Sequence, residues 1–135
     1  DTLKINNIWS KSVKEAIHKF DPSTEFFIPE GCYITEQSND ANDPELSIAQ
    51  ARVKVGVTTQ WHRLKDTVER YVMISGKGRM EVGDLPPQEV TAGDVVIIPP
   101  MCRQRITNIG DEDLIFLALC SPGFRDEVYE FIEDE

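Results

Sequence analysis

The spacing of apolar residues near the start of the chain is helical. Ser12 and Glu15 have the spacing of a capping box, in which side chains satisfy the free backbone N–H groups of a helix start. Four apolar residues around them fall on one helix face: Val13, Ala16, Ile17 and Phe20. We therefore predict a helix that begins at Ser12 and ends at Asp21, because Pro22 cannot continue it.

From Gly31 onward the pattern changes to short β-rich runs separated by turn residues, which is typical of a sandwich or a closed barrel. The pattern predicts nine strands, at residues 32–37, 47–55, 59–64, 69–75, 79–83, 87–90, 94–98, 103–108 and 113–120. Helical spacing then returns and predicts a short C-terminal helix, with these residues on one face: Phe124, Val128, Phe131 and Ile132. The sequence thus predicts an all-β domain at 31–121, an N-terminal helical extension at 1–30, and a C-terminal helix with an acidic tail at 122–135.

Composition narrows the functions open to such a domain. The 135 residues are 40% hydrophobic, which is enough for one packed core. Against 24 Asp and Glu there are 14 Lys and Arg, and the resulting charge of −10 repels nucleic acids and anionic membranes, so we expect neither as a partner. No apolar run approaches the roughly 20 residues of a membrane span, and the first residues lack a secretory pattern. We expect a cytoplasmic protein whose three cysteines are reduced, since they share no metal-site spacing.

Two segments carry glycine, histidine, glutamate, proline and asparagine at motif spacing. The first motif, G-x5-H-x-H-x(3,4)-E-x6-G, is met by Gly56, His62, Glu69 and Gly76. The second, G-x5-P-x-G-x2-H-x3-N, is met by Gly93, Pro99 and Asn108. In these motifs the chain resembles the cupin family, as a small single-domain member, over about residues 31–121. The resemblance implies a double-stranded β-helix, also called a jelly-roll barrel, with the functional pocket in its interior.

The chain departs from the motifs at a glycine position, which is Met101, and at two positions of metal ligands. Family members that bind a metal typically use both histidines of the first motif, its glutamate and the histidine of the second. In this sequence Leu64 replaces one histidine and Gln104 replaces another. The resemblance therefore leaves His62, Glu69 and Gln104 as candidate ligands of one divalent metal ion. This set is mismatched, because metal enzymes usually use about three strong ligands and an amide oxygen suits harder ions than an imidazole does. We expect no tightly bound catalytic metal.

Strand alternation places further polar residues beside His62. Side chains along a strand alternate between two faces, so Gln60 shares the face of His62, and Tyr71 shares that of Glu69. If those faces line the barrel, the ligand-binding residues are His62, Glu69, Gln104, Gln60 and Tyr71. Burial would raise the pKa of Glu69 and a nearby imidazolium would lower it. His62 and Glu69 are thus the candidate catalytic residues, a pair that shares one proton as acid and base.

Three functions stay open at this point. The leading hypothesis is a barrel that binds a small polar metabolite, of carboxylate or sugar type, in its lumen. The alternative is a mononuclear metal-dependent enzyme, such as an oxygenase, isomerase or lyase, that uses the mismatched ligand set. A purely structural barrel would instead have its lumen closed by Leu64, Met73 and Met101. By analogy with the family we also expect a homodimer, with Trp61 and Val57 as exposed apolar contacts.

Overall fold

The computed structural model describes residues 13–133, which form almost only β-strands. The strands are β1 Phe26–Ile28, β2 Cys32–Ser38, β3 Ser47–Val53, β4 His62–Leu64, β5 Val68–Ser75, β6 Lys77–Val82, β7 Gln88–Thr91, β8 Val95–Ile98, β9 Gln104–Asn108, β10 Leu114–Ser121 and β11 Tyr129–Phe131. All nine predicted strands are present, so the all-β prediction is confirmed. The largest difference is at β4, which begins at His62 and not at residue 59. Within this part of the chain, no helix has the length and apolar character needed to cross a membrane.

The strands form two antiparallel sheets that pack face to face. One sheet has six strands in the order β1-β2-β3-β10-β5-β8, and the other has five in the order β11-β4-β9-β6-β7. Strands that are distant in sequence are neighbours in space, as in β3 and β10, where Val53 pairs with Leu114 and Ser47 pairs with Cys120. This is the jelly-roll architecture that the resemblance implies.

Side chains at alternate strand positions fill one part of the space between the sheets. Along β5 the buried positions are Glu69, Tyr71 and Met73, with less buried residues between them. A cluster of buried apolar side chains from both sheets includes Met73, Met80, Ile106, Leu114 and Phe116. The period-2 alternation of β5 therefore points Glu69 and Tyr71 into the same interior as this core.

The predicted N-terminal helix is wrong over the residues that the structure describes. Residues 13–21 are not helical, and a short 3-10 turn follows at Pro22–Thr24. Ile17 is 85% exposed, so the predicted apolar face has no surface to pack against. Helices of this length depend on such packing, since their intrinsic propensity alone does not stabilise them. Ser12, the predicted first residue of the helix, lies outside the described residues.

The predicted C-terminal helix is also wrong. The chain makes a 3-10 turn at Asp126–Val128 and continues as β11, which pairs with β4 so that Phe131 lies opposite His62. A backbone hydrogen bond from Ile132 N to Trp61 O holds the far end of the strand. The free edge of β4 thus supplies partners for backbone groups that a helix would have satisfied internally. Both β1 and β11 lie outside the predicted 31–121 domain and join its two sheets.

Candidate functional site

A cavity of about 1000 Å³ opens between the two sheets. Its walls come from β1, β2, β3, β5 and β10 of one sheet, from β4 and β11 of the other, and from the segment 124–127. The volume lies at the upper end of the range for small-molecule pockets, about 300–1000 Å³. The closure expected of a purely structural barrel is not observed, because Met73 packs in the core and Met101 is 47% exposed.

His62 lies at the start of β4 and is buried. Its Nδ1 is 2.8 Å from the carbonyl oxygen of Gln60. Because a carbonyl can only accept, Nδ1 carries a proton and donates it, and Nε2 of the neutral ring is left as an acceptor. Burial lowers the pKa of His62, against the opposing effects of the Gln60 carbonyl and the negative charge of Glu69. The ring therefore presents a lone pair at Nε2.

Glu30 faces that lone pair. Its Oε1 lies 3.4 Å from His62 Nε2, and the residue is buried in the turn between β1 and β2. The Cys32 thiol donates to Oε2 at 3.6 Å, and the Tyr129 hydroxyl also bonds to the carboxyl. Burial raises the pKa of Glu30 to about 7, against the effect of those two hydrogen bonds. Sequence reasoning missed this residue, because a glutamate between a proline and a glycine is typical of an exposed turn and no motif spacing reaches it.

Glu69 ends a buried chain of side-chain hydrogen bonds. The Tyr71 hydroxyl donates to Gln104 Oε1 at 2.6 Å, and Gln104 Nε2 donates to Glu69 Oε1 at 2.7 Å. The Cys120 thiol donates to the other carboxyl oxygen of Glu69 at 3.8 Å. Burial raises the pKa of Glu69 to about 7, against the lowering effect of the nearby His62. The chain thus converges on a carboxyl group that ionises near neutral pH.

Four of the five predicted ligand-binding residues lie together. His62 pairs directly with Gln104 in the β4–β9 register, and Gln104 bridges to Glu69 and Tyr71 on the opposite sheet. Gln60 lines the cavity but is exposed, and it holds His62 through its carbonyl. Within residues 13–133 no hydrogen bond joins His62 to Glu69. The carboxyl group that lies next to the His62 ring nitrogen Nε2 is that of Glu30 and not that of the predicted partner Glu69.

The donor groups at the predicted metal positions do not suit a metal ion. Leu64 is buried and offers no donor in place of the missing histidine. The amide oxygen of Gln104 accepts the Tyr71 hydroxyl, and its amide nitrogen is directed at Glu69. In the described part of the chain, no three His, Cys, Asp or Glu side chains are grouped so that they could hold a metal. The residues present therefore do not fit the divalent ion that the resemblance implies.

The two predicted dimer contacts differ in environment. Two guanidinium groups lie over the partly buried Trp61 ring, those of Arg103 at 4.4 Å and Arg105 at 4.3 Å from its centroid. Val57 is partly buried and packs against the core cluster, so it is not the exposed contact that was expected. The homodimer stays a prediction that light scattering of the purified protein would test.

The sequence profile of the cupin domain matches residues 49–120. The chain belongs to the cupin family. An uncharacterised protein of Methanocaldococcus jannaschii is 31% identical to this cupin over 128 residues, which make up 93% of this chain and 99% of that protein. The glucose-6-phosphate isomerase of Pyrococcus furiosus is 34% identical over 118 residues, covering 78% of this chain and 59% of the isomerase. This cupin therefore spans less than two thirds of the length of the isomerase.

Solved structures show the same fold. KdgF from Halomonas sp. matches this cupin with a TM-score of 0.71 at 15% sequence identity, over 83% of this chain and 98% of that one. At such low identity the likeness shows the fold alone. It confirms the cupin barrel that the spacing of the two motifs predicts.

Proposed function

We propose that this cupin binds a small polar organic molecule in its lumen and that Glu30 and His62 exchange a proton with that molecule. The single observation that carries the proposal is the approach of Glu30 Oε1 to within 3.4 Å of His62 Nε2, in the wall of an open cavity. A pair of this kind has no evident structural purpose that apolar residues would not serve as well.

The two side chains share one proton. His62 Nδ1 already donates to Gln60, so the neutral ring has only a lone pair to offer Glu30, and an ionised Glu30 has only lone pairs to offer in return. Contact between two acceptors is repulsive, so the pair is more stable when one of the two groups carries a proton. Burial raises the pKa of Glu30 to about 7 and lowers that of His62, so the proton affinities of the two groups approach each other near neutral pH. A group in this state suits both proton donation and proton acceptance.

Tyr71, Gln104 and Glu69 form a second group of side chains that is ordered without a ligand. The Tyr71 ring stacks on Phe116 with centroids 4.2 Å apart, and its hydroxyl fixes the Gln104 amide, which in turn fixes Glu69. Because these side chains are already ordered, the protein loses little further side-chain entropy when a ligand binds to them. This supports a binding role for Glu69 and Tyr71, which line the cavity, and a positioning role for the fully buried Gln104, which bonds to both.

Calorimetric titration of the purified protein with a panel of small sugars, carboxylates and amines tests the proposal. We expect at least one compound to bind, and we expect His62→Ala to weaken its affinity at least about tenfold. The matched control is His18→Ala, which removes the other histidine of the chain, an exposed residue, and leaves binding unchanged. Treatment with a chelator has no effect, because the donor groups do not suit a metal ion.

If His62→Ala does not fold, Glu30→Gln serves in its place, since it removes the acid of the pair and preserves the volume of the side chain. A folded protein that binds no compound of the panel contradicts the proposal. Binding that neither variant weakens contradicts it as well.

A further inference from the structure

The carboxyl groups of Glu30 and Glu69 form what we call the floor of the cavity, and their hydrogen-bond donors are uncharged. Glu30 and Glu69 are both buried. In the part of the chain that the structure describes, the hydrogen-bond donors that reach them are uncharged: Cys32, Tyr129, Gln104 and Cys120. His62 is the one basic side chain that faces both carboxyls among these residues, and burial lowers its pKa. The floor therefore holds no permanent positive charge.

The rim of the cavity carries charge of the same sign. Glu36, Asp126 and Glu127 line the cavity and are exposed, whereas Arg125 is the single Lys or Arg among the lining residues that are described. A cleft lined by one sign of charge concentrates ligands of the opposite sign and repels those of the same sign. An anionic ligand would enter against this field and would find no cationic partner at the floor.

Aromatic rings form part of the walls. Tyr129 stacks on His62 with ring centroids 5.2 Å apart, and both line the cavity. Phe26 and Phe131 also line it and are about half exposed, which places them at its opening. The face of an aromatic ring attracts cations and also packs against apolar groups. Carboxylates and aromatic faces together are the groups by which proteins recognise ammonium ions.

We propose that the lumen takes an organic cation, a primary amine with an apolar portion, whose ammonium group lies against Glu30 and Glu69 and whose apolar portion lies against the aromatic walls. This inference rests on the proposed function and names the ligand class for it. It differs from the carboxylate or sugar type of ligand that the sequence predicts. It also separates this cupin from its isomerase relative, whose name specifies a phosphate ester as substrate.

Proton release accompanies the binding of such a cation. Burial raises the pKa of both carboxyl groups to about 7, and the charge of Glu30 further raises the pKa of Glu69. The titratable groups that face the two carboxyls come from β2, β4, β5, β10 and β11, and they are Cys32, His62, Tyr71, Cys120 and Tyr129. Below pH 7 the carboxyls hold protons that an ammonium ion must displace. The affinity for an amine therefore rises with pH between about 6 and 8.

Three probes that share one ring and differ in the charge of the head group test the assignment: benzylamine, benzyl alcohol and benzoate. NMR titration of the wild-type protein at about pH 7.5 gives the three affinities. We expect benzylamine to bind at least about tenfold more tightly than benzoate, and more tightly than benzyl alcohol. Its affinity should rise severalfold from about pH 6 to about pH 8, while that of benzyl alcohol stays constant.

Variants locate the ammonium site. Glu30→Gln and Glu69→Gln, made separately, should each weaken benzylamine binding about tenfold and should weaken benzyl alcohol binding much less, because an uncharged head group does not depend on the carboxylate charge. The matched control is Glu89→Gln, an exposed glutamate on β7, which should change neither affinity. If a buried variant does not fold, the pH dependence of the wild-type protein decides the question.

The results separate this inference from the proposed function. His62-dependent binding that favours benzoate or benzyl alcohol overturns the choice of a cation and leaves the proposed function standing. Absence of binding by all three probes also overturns the choice of a cation, and the broader panel then decides the proposed function on its own.

Discussion

One backbone carbonyl determines the chemistry available to His62. The Gln60 oxygen, 2.8 Å from Nδ1, fixes the tautomer of the ring and so leaves the lone pair of Nε2 facing Glu30. A side-chain carboxylate at Nδ1 would have favoured the imidazolium more strongly, since it carries a full negative charge. The neutral carbonyl orients the ring with less effect on its charge.

NMR of the histidine ring nitrogens tests this arrangement, and the chain has only two histidines to assign. We expect His62 to carry its proton on Nδ1 when neutral and to have a pKa below the ordinary value of about 6.5. In Glu69→Gln the pKa of His62 should fall further, because the negative charge that favours the imidazolium is gone. The His18 signals provide the internal control and should be the same in both proteins. A proton on Nε2 of the neutral ring, or a higher His62 pKa in the variant, would refute this account.

Sequence reasoning reached most of the site at this scale but not all of it. Motif spacing predicted His62 and Glu69, and strand alternation placed Tyr71 on the correct face, because both are regular features of strands. Glu30 lies in a turn, where no periodicity relates a residue to its neighbours, and its contact with His62 exists only after the sheets have packed. A residue of this kind is visible only in three dimensions.

At the scale of elements, the wrong C-terminal helix concealed one wall of the cavity. Apolar residues at Phe124, Val128 and Phe131 fit helical spacing, yet Tyr129 and Phe131 fit strand alternation equally well. The segment forms a strand because the edge of β4 that does not face β9 needs hydrogen-bond partners. This requirement cannot be seen in a short stretch of sequence. As a strand paired with β4, the segment stacks the Tyr129 ring on the His62 ring.

The motif glycines, by contrast, have a structural explanation that needs no ligand. Gly76 joins β5 to β6 with φ of +89°, and a Cβ added to it would lie 2.8 Å from the backbone oxygen of Asp113. Gly56 has φ of +78°, but a Cβ there would meet no atom within 4 Å. Both positions favour glycine for the backbone angle, and only Gly76 also needs it for space.

Alanine substitutions separate these two requirements. Gly56→Ala should lower the free energy of unfolding by about 1–2 kcal/mol, the usual cost of a left-handed backbone for an ordinary residue. Gly76→Ala should lower it by more than about 3 kcal/mol, because backbone atoms of the neighbouring turn must also move. Urea unfolding of the two variants measures the difference. Equal losses in both would show that the close approach at Gly76 does not matter.

At the scale of the whole molecule, residues 13–133 bury two ionisable carboxyls although the net charge of the chain is already −10. The apolar cluster between the sheets stabilises the fold, and the cavity beside it contains Glu30 and Glu69, whose ionisation the fold opposes. Ionisation of these two buried carboxyls therefore lowers the stability of the fold, a cost that is common where side chains are placed for binding or catalysis. The stability that is lost when the two carboxyls ionise can be measured without knowledge of the ligand.

The pH dependence of unfolding provides that measurement. The folded pKa of both carboxyls is about 7 and their ordinary value is 4.5, so the folded chain binds more protons than the unfolded chain between these values. Their contribution to stability is therefore fully present below about pH 4.5 and is lost as the pH rises through 7. Repulsion among the surface acids acts in the same direction, so the test compares two proteins. From about pH 5 to about pH 8, wild type should lose on the order of 5 kcal/mol more than the double variant Glu30→Gln, Glu69→Gln. The exposed-site variant Glu89→Gln should follow wild type, and parallel curves for wild type and the double variant would mean that the two carboxyls ionise freely in the folded protein.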